Sequence, residues 1–257
     1  MIWAILFAYC YGVRLALNEI VILCLTVWII YVGDRLLDGW RPTGLAALQQ
    51  RHFFSAEHRS PFICIGVIAA FVDLSLITKT LGSAEMFAGL KLAAIVGIYL
   101  LSVHVNPRIA RLLPKKLVVG ILFAAGTALP VWSKNSPFSV DWEFPVGLFA
   151  LLCSLNCFSI ECWEKNGSKF IDRLETKQIL RGTARVSEAA AGLAVAALAL
   201  PFFDIGAHTA VAIAVSLSAS LIFSLNYFRD RLSLSALRVL VDLVLVVAAL
   251  VALIIRI

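Results

Sequence analysis

Long apolar segments recur along the whole chain, and they constrain its fold more than any other feature. A helix needs about 20 predominantly apolar residues to cross the hydrocarbon core of a bilayer, and the run "IVILCLTVWII" belongs to one such segment. The 257 residues are 61% hydrophobic, with a mean hydropathy of +0.93, and only 15% are charged. Soluble domains carry about 25% charged residues. The sequence therefore predicts an all-α integral membrane protein.

We predict nine helices that form a single domain over residues 1–257, because no stretch between the apolar segments is long enough to fold alone. The first helix is too short to span a bilayer in regular form. Its sequence also lacks the basic n-region and the small-residue cleavage site of a signal peptide. The predicted helices cover residues 2–13, 17–36, 61–81, 84–105, 116–133, 144–163, 185–203, 206–227 and 236–256.

Positive charges gather in alternate loops, which predicts the orientation of the chain in the membrane. The loops after the even-numbered helices, with their flanks, carry most of the 22 lysine and arginine residues. These are Arg35, Arg41, Arg51, Arg59, Arg108, Arg111, Lys115, Lys116, Lys165, Lys169, Arg173, Lys177, Arg181, Arg185, Arg229, Arg231 and Arg238. The positive-inside rule places these loops and the N-terminus in the cytoplasm. We therefore predict a multi-pass protein of the inner cell membrane, and this charge pattern argues against a nucleic acid partner.

Acidic clusters end the second and sixth predicted helices. Asp34 and Asp38 in "YVGDRLLDGWRP" lie four residues apart, so they share a helix face. The segment "LLCSLNCFSIECWEKNG" carries Asn156, Glu161 and Glu164. Polar residues near a bilayer are costly and often functional, and oxygen ligands of this kind suit Mg²⁺, which also shares phosphate oxygens. The two clusters therefore favour a divalent metal that bridges to a phosphorylated ligand.

Structural ion pairs are the alternative explanation for these charges. The acidic clusters have neighbouring cations at the membrane surface, namely Arg35, Arg41 and Lys165. Asp73 and Lys91 are expected at the same depth of an antiparallel hairpin, where they would form a buried salt bridge. Asp242 lies one turn after Arg238, and we expect these two side chains to pair locally.

Two basic loops are candidate contacts for phosphate. The first, "LQQRHFFSAEHRSPF", crowds several charged residues into nine positions, and its arginines favour an anion over a metal cation. The second, "PRIARLLPKKLVVG", includes Lys115 and Lys116. For the first loop the alternative is exposure to water and lipid headgroups, and for the second it is charge that only sets the topology.

The end of the second predicted helix resembles the first motif of the UbiA-type intramembrane prenyltransferases. That motif reads N-D-x-x-D-x-x-x-D. Its last two aspartates fall on Asp34 and Asp38, while Ile30 and Tyr31 stand at its leading positions. The segment "YVGDRLLDG" is also shared with a divergent bacterial branch of the family, as is an R-H-x-F-x-x-x-H-R loop.

The sixth predicted helix is similar to the second motif of the same family, which is rich in aspartate and often begins with asparagine. Asn156 matches the start of that motif, Glu164 matches its last acid, and Glu161 is one place out of register. The segment "KKLVVGILFAAGTALPVW" is similar to the family's pattern after its fourth span. The resemblance thus covers nearly the whole chain.

The resemblance implies a nine-helix transmembrane bundle around a central cavity open toward lipid. In the family, Mg²⁺ holds the diphosphate of a polyprenyl donor, diphosphate departs to leave an allylic carbocation, and a lipid-soluble, often aromatic, acceptor attacks it. Carried over to this chain, the catalytic and metal-binding residues are Asp34, Asp38, Glu161 and Glu164. The implied diphosphate contacts are Arg41, Arg51, Lys115, Lys116 and Asn156.

Two other functions are consistent with the sequence. One is a non-catalytic membrane protein that binds an isoprenoid or quinone-like lipid, and the other is a solute transporter. Transporters usually break their helices near the bilayer midplane, whereas the polar residues here gather at one membrane face. Metal-dependent release of diphosphate from a labelled prenyl diphosphate distinguishes the enzyme from both alternatives.

Overall fold

A computed structural model describes residues 1–38, 58–105, 114–134, 143–166, 173–199 and 209–255. Within these ranges the chain forms nine α helices, one turn of 3-10 helix (Arg229–Arg231) and no strand. The α helices are α1 (Ile2–Cys10), α2 (Leu17–Asp38), α3 (Arg59–Thr80), α4 (Ser83–Val105), α5 (Lys115–Trp132), α6 (Glu143–Asn166), α7 (Arg173–Ala199), α8 (Thr209–Tyr227) and α9 (Leu234–Ile255). The prediction of an all-helical chain is confirmed for the described residues, and the predicted helix number fits.

Seven of the described helices are long and apolar enough to cross a membrane, namely α2, α3, α4, α5, α6, α8 and α9. Few side chains of α2, α3 and α4 are buried, and many of their large apolar side chains are exposed. Apolar surface on this scale is typical of a contact with lipid or another protein rather than with water. The helices therefore support a multi-pass membrane protein, while the inner membrane and the cytoplasmic N-terminus stay predictions.

Helix α7 begins at Arg173 rather than at residue 185, where the sequence predicted its start. The bounds of the other eight helices differ from the prediction by at most three residues. The prediction treated the charged segment "RLETKQILRGTA" as a loop. Leu, Glu, Lys, Gln and Arg are strong helix formers, so charge excludes this segment from the interior of a bilayer without preventing it from being helical.

Helices α2, α3 and α4 belong to one packed unit, Leu15–Leu113, in which α2 packs mainly against α3. Thr26 Oγ1 in α2 donates a hydrogen bond to Oδ2 of the buried Asp73 in α3, over 2.7 Å. Lys91 in α4 lies instead with its Nζ 4.7 Å from the centroid of the Phe87 ring. The predicted salt bridge between Asp73 and Lys91 is therefore wrong, because Asp73 faces α2.

Helix α1 is a buried part of the second unit, which comprises Ile2–Arg14 and Pro114–Ile257. Trp3 stacks on Phe149 of α6 with a ring-centroid distance of 4.2 Å. Its indole Nε1 donates a 3.0 Å hydrogen bond to the carbonyl oxygen of Leu245 in α9. Aromatic stacking and a satisfied indole N–H together fix this short helix against α6 and α9.

Helix α8 packs against α6, α7 and α9, and its buried side chains are mostly alanine, serine and valine. Small residues let neighbouring helices approach closely. Near the end of α8, the buried Asn226 accepts a 2.9 Å hydrogen bond from Trp163 Nε1. Its Nδ2 donates to the Thr183 carbonyl oxygen and to Ser187 Oγ. This satisfied amide joins α6, α7 and α8.

Helices α5 and α6 approach each other closely at Gly120. A Cβ atom added to this glycine would lie 2.6 Å from the carbonyl oxygen of Ala150 and 2.8 Å from the backbone nitrogen of Ser154. Both contacts are backbone atoms, which cannot rotate away as the end of a side chain can. Only glycine therefore fits this position without moving α5 from α6.

We predict that Gly120→Ala lowers the free energy of unfolding by about 1–3 kcal/mol, the usual effect of overpacking. Thermal unfolding of the purified full-length protein in detergent measures the change. Gly147→Ala in α6 is the matched control. Apart from its chain neighbours and the backbone of its own helix, no heavy atom lies within 4 Å of a Cβ added there. It should leave stability unchanged or slightly raised, since alanine is the better helix former. Equal stability of the two variants would contradict the close approach.

Candidate functional site

An apolar cleft of about 670 Å³ lies among α5, α6 and α7 of the second unit. Ligand pockets in proteins have volumes of about 300–1,000 Å³. The α6 side of the cleft is one stripe at helical spacing, formed by Leu148, Leu151, Leu155 and Phe158, since positions three and four apart share a helix face. The α7 side has mostly small residues, Ala189, Gly192, Leu193 and Ala196. The small α7 residues leave room beside the bulky α6 stripe.

One end of this cleft is positively charged. Pro114, Lys115 and Lys116, at the start of α5, line it. Pro114 occupies the N-cap position and forms no capping hydrogen bond with its side chain, so the first N–H groups of α5 keep their partial positive charge. The Lys115 side chain is exposed, and no ion pair or hydrogen bond joins it to another described residue. This end therefore favours an anionic group attached to an apolar body.

Glu161 of α6 faces the charged end of the cleft. Its Oε2 forms an ion pair with Lys116 Nζ, and the same Nζ lies 5.2 Å from the centroid of the Phe158 ring. The Lys116 side chain is 34% exposed and that of Glu161 is 37% exposed. The structure thus brings together two of the residues that the sequence predicted for the site, with opposite charges in contact.

Glu164 and Asn156 face α9 instead. Arg238 Nη2 lies 2.7 Å from Glu164 Oε1, and the Glu164 side chain is only 6% exposed. Asn156 Nδ2 donates a 2.9 Å hydrogen bond to Asp242 Oδ1. The predicted local pair of Arg238 with Asp242 is therefore wrong. Both side chains contact α6, because the face of α9 that carries them packs against that helix.

The two α6 carboxylates are paired with cations in this arrangement, and a Mg²⁺ site at them stays a prediction. Mg²⁺ requires near-octahedral oxygen ligands, whereas Glu161 and Glu164 each have a cationic side chain as neighbour. Across the described ranges, no group of three or more His, Cys, Asp and Glu residues could hold a metal ion.

The first acidic cluster belongs to the unit formed by α2, α3 and α4. Asp34 Oδ1 lies 3.9 Å from His104 Nε2 of α4, and His104 Nδ1 lies 2.7 Å from the carbonyl oxygen of Leu100. The contact of His104 with α2 was not predicted, since no spacing in the sequence links the two. Asp38 is the last residue of α2; its side chain lies outside the described part, as do Arg41 and Arg51. A shared site between the ends of α2 and α6, around a central cavity, stays a prediction.

Arg238 and Asp242 are the site residues that sequence reasoning missed as partners of α6. Opposite charges four residues apart on one helix suggest a local pair. The sequence therefore favoured a pair within α9 over contacts with another helix. The available signal was that Arg238 and Asp242 lie on the same face of α9, so that both can contact one neighbouring helix. Only the packing of α9 on α6 shows that this face meets Glu164 and Asn156.

Comparison with known proteins finds no match among protein-family models, curated proteins or solved structures. The resemblance to the UbiA-type prenyltransferases therefore stays a prediction. The function has to be argued from the cleft, its charged end and the ion pairs of α6.

We predict that Glu164 and Arg238 are energetically coupled. Arg238→Gln should destabilise the protein because it leaves the buried Glu164 carboxylate without its cation. The double variant Glu164→Gln/Arg238→Gln should be more stable than the sum of the two single effects implies, with a coupling energy of about 0.5–3 kcal/mol. Unfolding of the four proteins in detergent measures this energy. Arg231→Gln, at an exposed position, is the control, and additive single effects would count against the pair.

Proposed function

We propose that this protein is a membrane-embedded prenyltransferase, which transfers a prenyl group from a polyprenyl diphosphate to a lipid-soluble acceptor of the aromatic class. The observation that carries the proposal is the apolar cleft that ends at Lys115 and Lys116. A polyprenyl diphosphate is apolar along its chain and has all of its charge at one end. The cleft and its charged end match these two parts of the molecule.

Charge recognition would supply most of the affinity and specificity for this donor. The prenyl chain is already surrounded by lipid, which is as apolar as leucine, so its transfer into the cleft gains little from the hydrophobic effect. Lysine ammonium groups form charge-assisted hydrogen bonds to phosphate oxygens, and the start of a helix also attracts anions. Lys115 and Lys116 therefore matter more for binding than the leucines of the cleft.

The same groups suit the chemistry of prenyl transfer. The bond between the allylic carbon and the diphosphate oxygen breaks, and negative charge grows on the departing diphosphate. Lys115 and Lys116 would stabilise that charge. The allylic cation needs surroundings poor in water, which the apolar lining of the cleft would provide. The electron-rich acceptor then forms the new bond and loses a proton.

The predicted residues of the first cluster remain part of this proposal. Asp34 and Asp38 are proposed as Mg²⁺ ligands, with Arg41 and Arg51 as diphosphate contacts. A bound Mg²⁺ would supply positive charge to the leaving group. Glu161 and Glu164 would have to release Lys116 and Arg238 before they could act as further ligands.

A non-catalytic protein that binds an isoprenoid or quinone-like lipid is the second candidate. The pairing of Glu161 and Glu164 with basic side chains favours it, because carboxylates that are already neutralised offer no ready metal site. The two candidates share the cleft and differ in whether bound donor releases diphosphate.

Turnover by the purified full-length protein tests the enzyme proposal. Release of labelled diphosphate from prenyl diphosphates of several chain lengths should occur with Mg²⁺ and stop with EDTA. Asp38→Asn should abolish release while the protein stays folded, because the variant loses a charge but little volume. Arg14→Gln, at an exposed position, should have nearly wild-type activity.

Two results would change this assignment. Turnover that persists in EDTA and in the Asp38→Asn variant would contradict the metal-dependent mechanism. Saturable binding of the donor without release of diphosphate would favour the lipid-binding function.

We further predict that the charged end of the cleft determines donor affinity. The double variant Lys115→Gln/Lys116→Gln should bind farnesyl diphosphate at least about tenfold more weakly, which is the size expected for hydrogen bonds to a charged group. Equilibrium binding of labelled farnesyl diphosphate in lipid nanodiscs measures this change. Lys134→Gln, just beyond the other end of α5, is the matched control. An unchanged dissociation constant for the double variant would place the headgroup elsewhere.

A further inference from the structure

We infer that Glu161 is an exchangeable counter-ion for Lys116, displaced when an anionic headgroup enters the cleft and paired again when that group leaves. The ligand class is an amphiphile whose headgroup carries at least two negative charges and contacts Lys115 and Lys116 together. This inference rests on the proposed function, since it concerns the same cleft.

The positions of the three side chains support an exchange. Lys116 and Phe158 line the cleft, whereas Glu161 lies one turn further along α6. Lys116 Nζ contacts the Glu161 carboxylate while it lies 5.2 Å from the Phe158 ring centroid. The contact with Phe158 keeps the ammonium group at the cleft when its carboxylate partner changes.

Comparison with the other α6 ion pair shows why this one can exchange. The Glu164 side chain is only 6% exposed in its pair with Arg238, so opening that pair would leave a buried charge. Lys116 and Glu161 are 34% and 37% exposed. Both groups lie near the helix ends that the sequence predicts at the cytoplasmic membrane surface, where water would solvate them when they separate, and exposed ion pairs contribute little net free energy. Lys116 can therefore exchange the Glu161 carboxylate for an anion of higher charge.

Lys115 gives the incoming headgroup a first contact. It is exposed and adjacent to Lys116, and it has no ion pair with another described residue. A headgroup with one negative charge can pair with Lys115 and leave Glu161 in place. A diphosphate can contact both lysines, and only then does it compete with Glu161. After transfer, the returning carboxylate would help to release diphosphate from Lys116.

This competition makes Glu161→Gln a variant that improves binding. Its dissociation constants for farnesyl diphosphate and for inorganic diphosphate should fall about two- to fivefold, the range expected for loss of a partly exposed ion pair. Farnesol, which has no charge, and phosphatidylglycerol, with one charge, should bind as they do to wild type. Glu143→Gln, the same substitution at the opposite end of α6, is the control and should change none of these values.

The double variant Lys116→Gln/Glu161→Gln tests whether Glu161 acts through Lys116. The higher affinity caused by Glu161→Gln should disappear when Lys116→Gln is also present. Without the Lys116 ammonium group, Glu161 and the headgroup no longer compete for a shared partner. Binding is measured with full-length protein in nanodiscs. Where Glu161→Gln does not accumulate as folded protein, Glu161→Asp replaces it, and its shorter side chain should give a smaller gain.

The possible failures are distinguishable. Weaker binding by Glu161→Gln, together with weaker wild-type binding in EDTA, would identify Glu161 as a metal ligand; that result overturns the exchange but keeps the proposed function. An unchanged dissociation constant overturns the exchange alone. Absence of saturable binding of farnesyl diphosphate by wild type overturns both.

Discussion

The high cost of an unpaired polar group in an apolar environment determines where this chain can place its functional side chains. In the second unit, several buried and half-buried polar residues pair with each other where helices touch. Asn226 bonds to α6 and α7 through its amide, and Glu164 meets Arg238. Each contact both satisfies a polar group and fixes one helix against another. At these contacts, polar pairing therefore adds to the apolar packing that holds the helices together.

Helix α6 shows how one helix can separate three chemical environments. Leu148 to Phe158 present an apolar face to the cleft, Glu161 faces Lys116 of α5, and Glu164 faces Arg238 of α9. Both side chains of the Glu161 pair are partly exposed, whereas the Glu164 carboxylate is nearly buried beside a partly exposed Arg238. The same residue type can thus serve as an exchangeable group at one position and as a structural group one turn later.

The apolar segments predicted the helices well because a span of about 20 residues is a strong signal, and only α7 began far from its predicted start. The acidic clusters were found, but their partners were not. Glu161 with Lys116 and Glu164 with Arg238 join residues from different helices, and no spacing within one sequence encodes such contacts. The predicted salt bridge of Asp73 with Lys91 was wrong for the same reason. The position of Asp73 in the sequence predicted its depth in the membrane but not the neighbouring helix that it faces.

The ion pairs of α6 also bear on how a prenyl diphosphate could be recognised here. In water, burial of an apolar chain would dominate the affinity, but in a bilayer the chain gains little by leaving lipid. The headgroup must then supply most of the binding free energy, and its charges need partners of opposite sign. Lys115 and Lys116 line the described cleft and would be such partners, and under the proposed exchange Glu161 would limit how strongly Lys116 binds. A site that must release a multiply charged product gains from such a limit, because an anion held by two unopposed lysines would leave slowly.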